Sequence, residues 1–234
     1  MKKSGKYLLF LIPFAFIVFL IYSFLEGNPI AKYNAGLAVE KYLKESYPEE
    51  EFTIEDPTYN FKGGDYNVMV VLEQDGYKPR HLMKVGGFFG TSVFQDGVYE
   101  DRLDDGLIRK FKGEAEKELR AVLEASVDVV SITAIIEVMR EQYPEGTLWT
   151  KDLALEKPLE LYIALDGNGK DKDDSLEEAK RIQQALNENG YKYGQVTADF
   201  LVKNQEEDYI SNYKIVFKQN EEIDPEKVIG REGK

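Results

Sequence analysis

The sequence predicts an α+β protein with one N-terminal transmembrane helix, then two small units that each combine a helix with an antiparallel sheet. Three observations carry that expectation. An uncharged apolar run, YLLFLIPFAFIVFLIYSFL, fills Tyr7 to Leu25. The chain holds 15 Tyr and 13 Phe, residues that favour packed strands. Helix-like and strand-like patterns also alternate along the rest of it.

As a helix the apolar run covers roughly 28 Å at about 1.5 Å per residue, the thickness of a bilayer core. Lys2, Lys3 and Lys6 precede it and Glu26 follows. The positive-inside bias therefore places the N-terminus in the cytoplasm and the C-terminal mass outside. Pro13 is compatible with a helix in lipid, and Tyr22 suits the interface. A cleaved signal peptide has a shorter apolar core, about 7 to 15 residues, and a small-x-small site; the stretch EGNPIAKYNAG lacks that site. The expected layout is a cytoplasmic tail at 1–6, a transmembrane helix at 7–25, a first extracytoplasmic α+β unit at 26–125, a second at 126–220 and a disordered acidic tail at 221–234.

The formal net charge is −13, from 30 basic and 43 acidic residues. Setting aside Lys2, Lys3 and Lys6 deepens it to near −16 for the rest of the chain. Such a surface repels phosphate, so nucleic acid is excluded as a partner. The partners expected are the membrane, through the anchor, and a protein of the cell envelope. With no cysteine there is no disulfide framework, no acylated lipoprotein and no thiolate metal site. No cofactor is expected.

After Gly27-Asn28-Pro29-Ile30, an amphipathic helix is predicted from about Ala31 to Tyr47, closed by Pro48. EFTIED reads as a strand, and TYNFKGGDYNVMVVLEQDG as two strands joined at Gly63 and Gly64, with a further turn at Asp75 and Gly76. HLMKV gives a third strand, followed by the glycine-rich GGFFG from Gly86 to Gly90. From Tyr99 to Ala125 the apolar residues Leu103, Leu107, Ile108, Phe111, Leu119, Val122 and Leu123 recur at helical spacing, a long helix expected to cover the first sheet. SVDVVSITAIIEVMREQYP opens ambiguously and is read as ending in a helix at Tyr143. LELYIAL is a strand. Ser175-x-x-Glu178 has the reciprocal capping pattern of a helix that ends near Asn189 and Gly190. YGQVTADFLVK and SNYKIVFK complete the strands.

One internal echo links AVEKYLKESYPEEEFTIED, from Ala38, with AIIEVMREQYPEGTLWTKD, from Ala134. A tandem of related units and convergence on a common helix stop are both open.

Little in the chain spells chemistry. His81 is the only histidine, and no nucleophile-elbow pattern accompanies it, so a structural role is the default. With 43 acidic residues, two carboxylates near each other carry no information about a glycosidase-type pair. The loop DGNGKDKDDSLEE fails as a phosphate loop, because Lys172 stands at the third glycine position and aspartates crowd it. As a calcium loop it offers Asp166, Asn168, Asp174 and Glu177 at positions one, three, nine and twelve, but Lys170 and Asp171 replace a ligand and the turn glycine. In GGFFG, glycines free the backbone to present Phe88 and Phe89 to a partner; burial of both beneath a helix is the competing expectation.

On these residues, namely the lysine-led apolar run, Gly27-Asn28-Pro29-Ile30, Tyr42-Leu43, Tyr47-Pro48 and Tyr59-Asn60-Phe61-Lys62, the chain resembles the YfjL-like family of membrane-anchored bacterial proteins. The resemblance covers mainly the first hundred residues and carries over no catalytic residue. The helix followed by a meander is also similar to PepSY modules, extracytoplasmic inhibitory or regulatory domains, at the level of fold alone. The function expected is a membrane-anchored extracytoplasmic interaction or regulatory module, not an enzyme. The alternatives are a carboxylate-based enzyme acting on an envelope polymer and a calcium-responsive binding module.

Overall fold

The structure is a computed structural model that describes residues 13, 14, 18, 22, 23, 27–73, 78–87, 89–203 and 208–230. The chain divides into two compact units, Met1–Arg102 and Leu103–Lys234.

The transmembrane expectation is corrected. Among the described residues no helix is long and apolar enough to cross a membrane. An apolar run is necessary for a span, but a span also needs a continuous helix of about 20 residues. Residues 7–25 lie largely outside the described positions. The single-pass localisation and the anchored, exported layout built on that helix are withdrawn with it.

In the first unit, α1 runs from Pro29 to Ser46. Asn28 caps it by accepting from the Ile30 amide at 2.9 Å, and Pro29 occupies the first helical turn, where a missing N–H costs nothing. Five strands follow: β1 (Phe52–Ile54), β2 (Thr58–Asn60), β3 (Asp65–Leu72), β4 (Arg80–Gly86) and β5 (Ser92–Asp96). All pairs are antiparallel, in the order β1-β3-β4-β5, and β2 also pairs with β3. The turn expected at Asp75 and Gly76 lies outside the described residues. Alternation along β3 buries Tyr66, Val68, Val70 and Leu72 on one face. The stripe Ala31, Ala35, Val39 and Leu43 of α1 packs on that face with Met83, Val85 and Val98. Two alanines in the stripe let helix and sheet approach closely. A short helix α2 (Gly97–Glu100) ends the unit.

In the second unit, α3 runs from Asp105 to Leu123, capped by Asp104, whose side chain accepts from the Leu107 amide at 2.9 Å. It is followed by β6 (Val129–Ile135), β7 (Leu159–Asp166), α4 (Lys172–Glu188), β8 (Tyr193–Lys203), β9 (Tyr209–Phe217), a 3-10 turn at Pro225–Lys227 and β10 (Val228–Gly230). The sheet order is β10-β9-β8-β7-β6. β7 and β8 are parallel, with α4 as the crossover, and the remaining pairs are antiparallel. The sheet is therefore mixed, not the simple antiparallel one expected.

The structure departs from the expected elements in four further places. The long helix begins at Asp105, and its stripe Leu107, Phe111, Ala115, Leu119 and Leu123 joins the second core instead of covering the first sheet. Residues 136–143 form no helix: Ile132, Ala134, Ile136 and Val138 are buried at a period of two, so β-branched alternation outweighs the helical pattern. The echoed segments consequently differ, with 38–46 helical and 134–143 extended and irregular. Finally, the acidic tail is ordered through Gly230, because Ile223 and Val228 are buried and β10 pairs with β9.

Candidate interaction surface

α1 carries two apolar faces. Its buried stripe is Ala31, Ala35, Val39 and Leu43, whereas Ile30, Tyr33 and Leu37 are 63%, 69% and 46% exposed. At about 100° per residue, those three side chains fall within one narrow sector opposite the buried stripe. Farther along, the same outward face turns charged, with Glu40 paired to Lys44 at 2.6 Å and Lys41 to Glu45 at 3.8 Å.

GGFFG packs beside this face. The Asn34 side-chain amide donates to the Phe89 carbonyl at 3.0 Å. Gly90 has φ +65°, and a Cβ there would meet the Ala31 carbonyl oxygen at 2.2 Å, so only glycine fits against the helix. Phe89 is 58% exposed. Burial beneath a helix therefore does not describe it. Phe88 lies outside the described residues.

A polar cluster lies under the other end of α1. Asp96 Oδ2 accepts from the Tyr47 hydroxyl at 2.5 Å and the Tyr42 hydroxyl at 3.0 Å, and its Oδ1 accepts from the Val98 and Tyr99 amides at 2.9 and 3.1 Å. Arg102 stacks 5.0 Å from the Tyr47 ring centre and donates to Glu50 at 2.7 Å. Burial, then the Asp96 carboxylate, raises the Tyr42 and Tyr47 hydroxyls above their ordinary range. With four donors already satisfied, Asp96 is a clasp joining helix, sheet and the cap of α2, not a base awaiting substrate. Sequence reasoning missed it. Tyr42 and Tyr47 lie about fifty residues from Asp96, and only the Asp96-Gly97 turn signal was legible.

His81 is 7% exposed. Its Nδ1 lies 2.7 Å from Asp101 Oδ2, and its Nε2 is enclosed without a hydrogen-bond partner. One ring nitrogen is taken up by a carboxylate and the other is enclosed, which fits a structural role.

The acidic loop serves local structure. Asp166 Oδ1 accepts from the Asn168 amide at 3.0 Å and its side chain at 2.7 Å; the backbone bond, foremost, holds the Asp166 carboxyl below its usual range. Asp171 and Asp174 form a capping box, so the helix starts at Lys172 instead of Ser175. Glu177 pairs with Lys180 at 2.8 Å, and the buried Glu178 with Lys170 at 2.7 Å. Among the described residues no three acidic or histidine side chains converge to hold a metal ion. Asp166, Asn168, Asp174 and Glu177 are thus spread over a turn, a cap and an exposed helix face.

Comparisons with known proteins follow the same two-part division. The chain matches the YfjL-like N-terminal domain over residues 1–97 and the YfjL-like C-terminal domain over 114–229. It is similar to the uncharacterized protein YfjL of Bacillus subtilis (strain 168), 30% identical over 184 residues, which cover 78% of each chain. Among solved structures, a DUF5037 family protein from Ruminococcus gnavus ATCC 29149 aligns at 12% identity over 73% of this chain and 76% of that one, with a TM-score of 0.27. Matches to both halves and to a relative 30% identical over 78% of each chain show that the chain belongs to the YfjL-like family.

Proposed function

We propose that this chain is a protein-interaction module that does no catalysis itself and binds its partner through the outward face of the first half of α1. One observation carries the reading: Ile30, Tyr33 and Leu37 are exposed on the side of α1 opposite the stripe that packs on the sheet. Single exposed apolar residues are ordinary, but an aligned group that includes a tyrosine has the composition of an interface centre. The Phe89 backbone is held at the same helix by the bond from Asn34, and more than half of its surface is exposed. The charged second half of the outward face supplies a polar rim.

The test places a photoreactive side chain at Tyr33 or, as a control, at Glu45 in the full chain. The expected result is one discrete protein adduct from position 33 and none from position 45. Identical adduct patterns from both positions would overturn the proposal.

A further inference from the structure

Beside the sheet a second surface is open, distinct from the α1 outward face. β1 pairs only with β3 among the described residues. The Glu73 amide donates to the Glu51 carbonyl and the Glu55 amide to the Met69 carbonyl, both at 2.9 Å. Backbone groups alternate sides along a strand, so Glu51, Thr53 and Glu55 turn theirs toward β3 and Phe52 and Ile54 turn theirs to the open edge. Pro57 ends that edge shortly after.

On the helix side of this edge lies a groove of about 370 Å³, lined by Leu43, Lys44, Tyr47, Phe52 and Ile54. Phe52 and Ile54 direct their side chains toward the α1 core, and the Tyr47 and Phe52 rings lie 5.9 Å apart. A strand added to β1 would put alternate side chains over the groove. Its surroundings are acidic: Glu49, Glu51 and Asp56 are exposed and have no ion-pair partner among the described residues, whereas Glu50 and Glu55 are paired with Arg102 and Arg80. A second copy of the chain would bring the same acids against these, which disfavours self-pairing.

We infer that the open edge of β1 accepts an extended segment of another protein, apolar at alternate positions and flanked by Lys or Arg, by strand addition. Main-chain bonds to Phe52 and Ile54 supply the pairing, the groove reads an apolar side chain, and the acidic rim selects basic flanks. The inference does not depend on the α1 face, so Leu37→Glu leaves it unchanged.

Two synthetic peptides test it against the full-length protein: Lys-Lys-Val-Thr-Val-Thr-Val-Lys-Lys and the same core with glutamate flanks. The lysine peptide should slow amide exchange at Phe52 and Ile54 about tenfold or more while the glutamate peptide does not. Ile54→Pro removes an outward N–H without touching a bond to β3 and should abolish binding. Glu51→Lys, on an exposed side chain, should weaken the lysine peptide and decides the matter should Ile54→Pro unfold the sheet. Failure of the lysine peptide to bind, indifference to Glu51→Lys, or exchange slowing that grows with protein concentration in the absence of peptide would overturn the inference.

Discussion

The outward faces of the helices differ between the two units. In the second unit, α3 and α4 expose no large apolar side chain among the described residues and carry ion pairs such as Arg120 with Glu124 and Glu177 with Lys180. In the first, α1 turns out Ile30, Tyr33 and Leu37. Both units bury one apolar stripe per helix against one face of a sheet, which is all that folding requires. The second unit also exposes apolar side chains, Leu148, Tyr162 and Ile229 among them, but on strands and loops and not along a helix. An exposed apolar row on a helix is particular to the first unit, and the proposed binding surface rests on that difference.

If burial alone explains the stripes, core substitutions should dominate the stability of each unit separately. Phe111→Ala should lower the stability of the second unit by about 3–5 kcal/mol, and Leu43→Ala that of the first by about 2–4 kcal/mol. Hydrogen exchange resolved to β7 and to β3 reads the two losses apart. Next in size is the buried ion pair. Glu178→Gln strands Lys170, 2.7 Å away with a side chain only 16% exposed, and should cost about 3 kcal/mol in a urea midpoint. Asp96→Ala releases two phenols and two amides and should remove about 2–3 kcal/mol from the first unit, with Asp96→Asn restoring part of it.

Alkaline titration sharpens the comparison further. Burial pushes the Tyr193 hydroxyl up to about 12 from an ordinary 10.0, and burial with the Glu118 hydrogen bond raises Tyr191 as well. Tyr42 and Tyr47 are raised in the first unit. A raised folded pKa means the unfolded chain loses its proton first. The stability these groups contribute is therefore complete below pH 10 and falls as pH climbs toward 12. Phenolate absorbance from these four should rise in step with loss of circular dichroism. Ionisation of these four ahead of unfolding would break the account.

Local signals made much of this fold legible. Asn28-Pro29 opened α1, Gly63-Gly64 joined β2 to β3, and alternation marked β7, β8 and β9. What the sequence left hidden depended on distant partners. Residues 136–143 read as helix because Met139 to Tyr143 resemble a helix stop, whereas buried alternation from Ile132 to Val138 decided for extended chain. The tail read as disordered because Glu and Asp fill it, yet Ile223 and Val228 found a place in the second core. An apolar run at 7–25 met the composition of a span without establishing a continuous helix. At the candidate surface, Phe89 was legible from its flanking glycines. The outward group of Ile30, Tyr33 and Leu37 was not, because an amphipathic pattern over 31–47 does not say which apolar side chains the sheet leaves uncovered.

The smallest expected effect on stability is also the most telling. Leu37→Glu should change stability by no more than about 0.5 kcal/mol and so leave the thermal midpoint close to the parent's, since the side chain lies on the exposed face. The direct measurement of the central claim is that midpoint taken alongside the yield of the adduct from a photoreactive residue at Tyr33. An unchanged midpoint with the adduct lost is the result predicted; a lowered midpoint with the adduct retained would contradict it.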